Sequence, residues 1–147
     1  MNNVQISKMT LDDYEKIKHV IASDFDDFWN ANTLKEDLEN ENSFYLVAKI
    51  DNLIVGFIGM KCILDEADIM NVVTKKDKRN TGIGYSLLSE LINKAKNKGI
   101  KKITLEVNEA NNSAIHLYKK MGFKEIAVRE KYYTGINNAI IMQLSLE

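Results

Sequence analysis

A strand-like run at residues 67–74 leads through Arg79-Asn80-Thr81-Gly82-Ile83-Gly84 into a segment of helical periodicity. A strand that turns on glycines straight into a helix is the building unit of an α/β sheet. The same turn can cradle phosphate, because glycines let backbone approach a ligand and N–H groups at a helix start point at an anion. Two familiar phosphate loops are excluded by spacing. A Walker loop needs Lys-Ser/Thr after its second glycine, where Tyr85-Ser86 stand. A dinucleotide fingerprint needs a third glycine or alanine, and Leu87 takes that place. An ordinary strand-to-helix turn is the alternative to a phosphate site.

The rest of the chain alternates in the same way. Residues 4–9 alternate like a strand, and Thr10 caps a helix carrying Leu11, Tyr14, Ile17, Val20 and Ile21 on one face. Thr33 and Glu36 form a capping-box pattern for a second short helix that ends near Asn40. Residues 44–50 and 53–63 read as strands joined by the tight turn Asp51-Asn52. After the glycine loop, Ile83, Leu87, Leu88, Leu91, Ile92 and Ala95 share a helix face that stops at Gly99. A strand over 100–107, a helix over 112–121 closed by Gly122, and a hairpin of 123–133 with 139–146 complete the chain. The predicted order is β-α-α-β-β-β-α-β-α-β-β, a mixed α/β sheet with helices on both faces in one domain spanning residues 1–147.

A chain of 147 residues buries roughly 68–70% of its unfolded surface, enough for a core without metals or disulfides. Cys62, the single cysteine, lies in an apolar run and reads as a buried, inert thiol. Residues 1–10 show neither a basic n-region nor an apolar h-region, and no apolar run approaches 18 residues, so the expectation is a cytoplasmic protein without membrane contact. His19 and His116 lack partners at metal spacing, so no metal is expected.

The net charge of −1 hides an uneven layout. Residues 23–42 carry seven acids against Lys35, whereas residues 75–102 carry nine bases against Asp77 and Glu90. The basic block surrounds the glycine loop, where a polyanion would place its phosphates, and the acidic block could attract a cationic substrate. A pair of solvated helix faces is the plainer alternative. Nucleic acid is not an expected partner, since the chain is not basic overall and shows no interleaved aromatic motif.

Arg-x-x-Gly-x-Gly at 79–84 resembles the acyl-CoA pyrophosphate loop of the GCN5-related N-acetyltransferases. The likeness extends to Leu105-Glu106-Val107, Asn111, Leu117-Tyr118-Lys119-Lys120-Met121-Gly122-Phe123, Asn71-Val72-Val73-Thr74, Tyr132-Tyr133 and Ala139-Ile140-Ile141-Met142. This set is similar to the branch that acetylates the amino-terminal alanine of ribosomal proteins. The resemblance implies acetyl-CoA as co-substrate, bound in a cleft where strand 67–74 splays from strand 100–107. It implies that Val72, Val73 and Thr74 pair with pantetheine, one N–H polarising the thioester carbonyl. By the same resemblance Arg79, Asn80, Thr81, Gly82, Ile83, Gly84 and Tyr85 hold the pyrophosphate, and Asn111 holds the cofactor arm. An acceptor amine then attacks directly, without an acyl-enzyme, so Cys62 is not needed as a nucleophile.

Glu106 projects from the strand face opposite Ile103, Leu105 and Val107, and Tyr118 lies on the apolar side of its helix. Taken alone, the first reads as a surface carboxylate and the second as a packing residue. The resemblance implies that Glu106 is the general base, through water, and that Tyr118 faces the departing CoA sulfur. A protein α-amine, with pKa about 7.7–8.0, is already neutral in roughly one molecule in six to ten at pH 7, whereas a lysine amine is neutral in fewer than about one in a thousand. An amino terminus is therefore the easier acceptor for a carboxylate base. Complete proton transfer from a tyrosine near pKa 10 to a thiolate near 8.5 is uphill by about 2 kcal/mol, so Tyr118 can serve the sulfur by hydrogen bonding as much as by donation.

Departures from the branch pattern fall on the acceptor side. Thr134 stands where proline normally follows the aromatic pair, and Asn137-Asn138 replace acidic residues before the last strand. Phe28-Trp29 with Asp26 and Asp27 alters an aromatic element, leaving Trp29 and Tyr133 as candidate walls for the acceptor. The α-amine of a protein, an amino-terminal alanine of a ribosomal protein, is the leading acceptor that the resemblance implies. A small amine metabolite and a non-catalytic acetyl-CoA-binding module are the alternatives.

Overall fold

The two residues Asp51 and Asn52 both adopt left-handed backbone, with φ of 51° and 67°, the signature of a two-residue turn that matches strand twist. They join β2 (Ser43–Ile50) to β3 (Leu53–Ile63) in a sheet of seven strands. This computed structural model describes residues 3–25, 31–133 and 137–147. The remaining elements are β1 (Gln5–Lys8), α1 (Leu11–Ile17), α2 (Ile21–Asp24), α3 (Ala31–Glu39), β4 (Glu66–Thr74), a 3₁₀ turn (Lys76–Lys78), α4 (Ile83–Asn97), β5 (Lys102–Asn108), α5 (Asn112–Lys120), β6 (Lys124–Tyr133) and β7 (Asn137–Ser145). The strand order is β1-β2-β3-β4-β5-β7-β6, antiparallel except where β4 meets β5.

Two cores cover the two faces. On one, α4 inserts Leu87, Leu88 and Leu91 against Leu46, Ile58, Ile103 and Leu105, with α5 alongside. Each such side chain contributes roughly 1.5–3 kcal/mol of burial. On the other face, α1 to α3 cover Tyr45, Val47, Phe57 and Val73 with Tyr14, Ile17, Ile21 and Leu34. Among the described residues no helix is long and apolar enough to cross a membrane.

Four expectations need correction. The first helix is broken: Val20 has φ −122° and ψ 3°, and its N–H bonds Ile17 in a tighter turn, so Ile21 reaches the core from a separate short helix. Leu11, expected on the apolar face, is exposed. Thr33 and Glu36 do not start α3, which begins at Ala31; residues three apart share a helix face anywhere in a helix, so the pattern alone does not fix a start. Cys62 is half-buried rather than buried; desolvation pushes its thiol up, opposed by Lys98.

The parallel ladder between β4 and β5 covers only Glu66–Asp68 against Lys102–Thr104. Beyond it a bulge intervenes, since Met60 faces Ile69 but Gly59 faces Asn71, and the extra residue Met70 bends β4 away. The two strands part there, leaving a seam in the middle of the sheet.

Candidate active site

α4 begins at the end of that seam. Asn80 (φ 60°) and Gly82 (φ 87°) both take left-handed backbone, and Thr81 Oγ1 donates to the Lys78 carbonyl at 2.5 Å. A side chain at position 82 would meet open space, so the glycine is required by its backbone conformation and not by crowding. No side chain caps α4 and its first turn holds no acid. The N–H groups of Ile83, Gly84 and Tyr85 therefore lack intrahelical acceptors, and the positive end of the helix dipole is unopposed.

These groups line a cavity of about 620 Å³. Of the residues singled out in the sequence, Val72, Thr74, Arg79, Asn80, Gly82, Ile83, Gly84, Tyr85, Asn111 and Tyr118 line it. Val73 does not: its side chain is buried in the opposite core. Thr81 and Glu106 are not in the lining either. Trp29 lies outside the described residues, and Tyr133 ends β6 opposite Asn137. Lys78, part of the basic block noted around the loop, lines the cavity too. Ser113, Ala114 and Leu117, which the sequence did not single out, follow from the turn of α5 around Asn111.

The basic block does not gather at the loop. Lys78 and Arg79 line the cavity there, but Lys94, Lys96 and Lys98 ride α4 to its far end, about 20 Å away. There they complement the negative end of the helix dipole. Contiguity in sequence is lost because a helix carries one half of the block away from the other.

α5 brings Asn111 and Tyr118 together. Asn111 Oδ1 accepts from Ala114 N (3.2 Å) and Ser113 Oγ (3.3 Å), capping the helix and leaving its Nδ2 donors without a partner among the described residues. Tyr118 is 8% exposed and packs against Phe123 at 5.9 Å between ring centroids. Glu106 stands across the sheet. Its face is the one that carries Thr104, Ile141 and Ala127, opposite the buried side chains of Ile103, Leu105 and Val107. Tyr118 and Glu106 thus belong to opposite sides of the sheet. Glu106 Oε1 lies 3.1 Å from Arg129 Nη2. At the end of β5, Glu109 accepts from Asn138 N (2.7 Å) and Nδ2 (3.4 Å), tying the start of β7 to the β5–α5 loop.

A sheet split at one seam, with an anion cradle beside the split, suits an acyl donor whose long phosphorylated arm lies in the cavity. Residues 10–123 match the model of the acetyltransferase (GNAT) family. Over 143 residues the chain is 35% identical to the ribosomal protein bS18-alanine N-acetyltransferase of Haemophilus influenzae, covering 93% of this chain and 95% of that one. The crystal structure of the ribosomal-protein-S18-alanine N-acetyltransferase from Escherichia coli superposes with a TM-score of 0.89 at 28% identity, covering 98% of this chain and 94% of that one. The PaiA N-acetyltransferase from Thermoplasma acidophilum, in complex with coenzyme A, shares the fold with a TM-score of 0.75 at 23% identity, over 97% and 99% of the two chains. The chain belongs to the GNAT acetyltransferase family. It is an acetyl-CoA-dependent N-acetyltransferase.

Proposed function

We propose that residues 1–147 form one N-acetyltransferase domain that moves the acetyl group of acetyl-CoA to the α-amine of a protein, the amino-terminal alanine of a ribosomal protein being the acceptor. The observation that carries the reading is the seam, with Tyr118 on the cavity side and the Glu106 carboxylate on the other face. Donor and acceptor then approach from opposite faces and meet between β4 and β5. The near full-length likeness to the Haemophilus influenzae enzyme supports the choice of acceptor.

The roles follow from position. The uncapped start of α4, with Lys78 and Arg79 beside it, holds the pyrophosphate. The edge of β4 that β5 leaves unpaired pairs with the pantetheine arm through backbone groups of Val72 to Thr74, one N–H polarising the thioester carbonyl. Such a donor is worth about 3–4 kcal/mol to a developing oxyanion. Asn111 offers its free amide donors to the same arm. Glu106 takes the amine proton through water, the nitrogen–carbon bond forms as the carbon–sulfur bond breaks, and Tyr118 supports the leaving sulfur.

The test is mass spectrometry on the protein with acetyl-CoA, a peptide beginning with alanine, its amino-blocked twin and several small polyamines. Acetylation of the free peptide alone is expected. Acetylated polyamine with untouched peptide would replace the acceptor by a small amine, which the altered residues Thr134, Asn137 and Asn138 would then explain.

A further inference from the structure

Glu106 does not stand alone on its face. β5, β7 and β6 lie side by side, and their register aligns Glu106 with Ile141 and Ala127, and Asn108 with Ala139 and Arg129. Arg129 is therefore two strands and two residues away, a span of roughly 10 Å across the strands. Only a long side chain crosses it, and it crosses the line where β7 presents the small, fully buried Ala139. Its Nη2 reaches Glu106 at Oε1, 3.1 Å away, so the contact is made on one carboxylate oxygen.

Stability does not account for this pair. The side chains of Arg129 and Glu106 are 52% and 33% exposed, and ion pairs so open to water contribute about 0–1 kcal/mol. Their geometric effect is larger. A glutamate side chain has three rotatable bonds, and a strand facing solvent offers it many rotamers. A guanidinium fixed on one oxygen selects among them and leaves the other oxygen to work.

We infer that Arg129 is a positioning residue for acetyl transfer: anchored on the edge strand, it holds Glu106 by Oε1 so that Oε2 is presented to the water or amine it deprotonates. This rests on Glu106 being the general base. Arg129 touches neither substrate and acts on the reaction through the carboxylate.

The experiment is steady-state kinetics on R129Q, R129K, E106Q and the double variant E106Q/R129Q, with thermal melts of each. R129Q is expected to lower kcat about 10- to 100-fold, the range for a misplaced catalytic group, with both KM values within about twofold and the melting temperature unchanged. R129K, whose charge is kept on a shorter stem, recovers part of the loss. In the E106Q background, R129Q has no further effect, because the group it positions is already gone. Wild-type kcat in R129Q with E106Q inactive overturns the inference alone. An equal loss from R129Q in both backgrounds also overturns it, because Arg129 would then act by another route. Wild-type kcat in E106Q overturns the base assignment itself.

Discussion

The ring of Tyr45 lies directly against Gly59, on the neighbouring strand, with no room between them for a methyl group. Tyr45 is 2% exposed and its hydroxyl donates to Asp37 Oδ2 at 2.9 Å, so α3 holds the ring where it is. Gly59 also faces Asn71 at the bulge that turns β4 from β5. A contact between β2 and β3 thus supports the opening of the seam one strand further on.

Gly59→Ala should therefore cost stability out of proportion to one methyl. Its Cβ would overlap the Tyr45 ring, which cannot swing away without breaking the bond to Asp37. The expected loss is about 2 kcal/mol or more, within the range for overpacked cores, read from the midpoint of urea unfolding.

Tyr118→Phe should lower turnover about 10-fold or more while leaving the KM for acetyl-CoA nearly unchanged. The ring's packing against Phe123 survives the change, so folding is spared and the hydroxyl alone is tested. Steady-state kinetics with peptide and acetyl-CoA varied separately give the answer; equal turnover would remove Tyr118 from the chemistry.

Gly82→Ala meets no steric obstacle, yet it places an L side chain at φ 87°. The residue prefers to leave the left-handed region by about 1–2 kcal/mol, which pulls the first N–H groups of α4 off their target. The KM for acetyl-CoA should rise about tenfold with kcat retained, tenfold being about 1.4 kcal/mol.

Asp13 gives the pH prediction. Burial disfavours its charge, but the ion pair to Lys49 at 2.9 Å and the bonds with Thr10 outweigh this and hold the carboxyl below the ordinary aspartate value. With the folded value below the unfolded one, the stabilisation is complete at neutral pH and is lost as pH falls through the folded value. Asp13→Asn should cost about 1–3 kcal/mol near pH 6, and the gap to the native protein should close as the pH drops below about 4. Thermal melts of both proteins across that range decide it.

Local chemistry carried much of the fold into the sequence. Asp51-Asn52 announced a hairpin because few residues tolerate two left-handed conformations in a row. Gly99 and Gly122 ended helices for the same reason, with φ of 80° and 102°. What stayed hidden depends on residues far apart in the chain. The bulge at Met70 has no turn signal of its own, because the bend arises in register with Gly59 and under the Tyr45 ring. Arg129 could not be linked to Glu106 before β7 was known to lie between their strands. Asn138 looked like a lost acid in the acceptor loop, but it is the partner of Glu109. Trp29 lies outside the described residues.

α4 is the tie across a divided sheet. Three residue pairs join β4 to β5, and the apolar face of this fifteen-residue helix shares one core with Leu46 and Ile58 of one half and Ile103 and Leu105 of the other. The same helix offers its first turn to the donor. Anchorage and recognition are thus two ends of one rigid rod. The cradle cannot be shifted without disturbing what keeps the halves together, and it inherits from them a fixed position that no loop by itself would have.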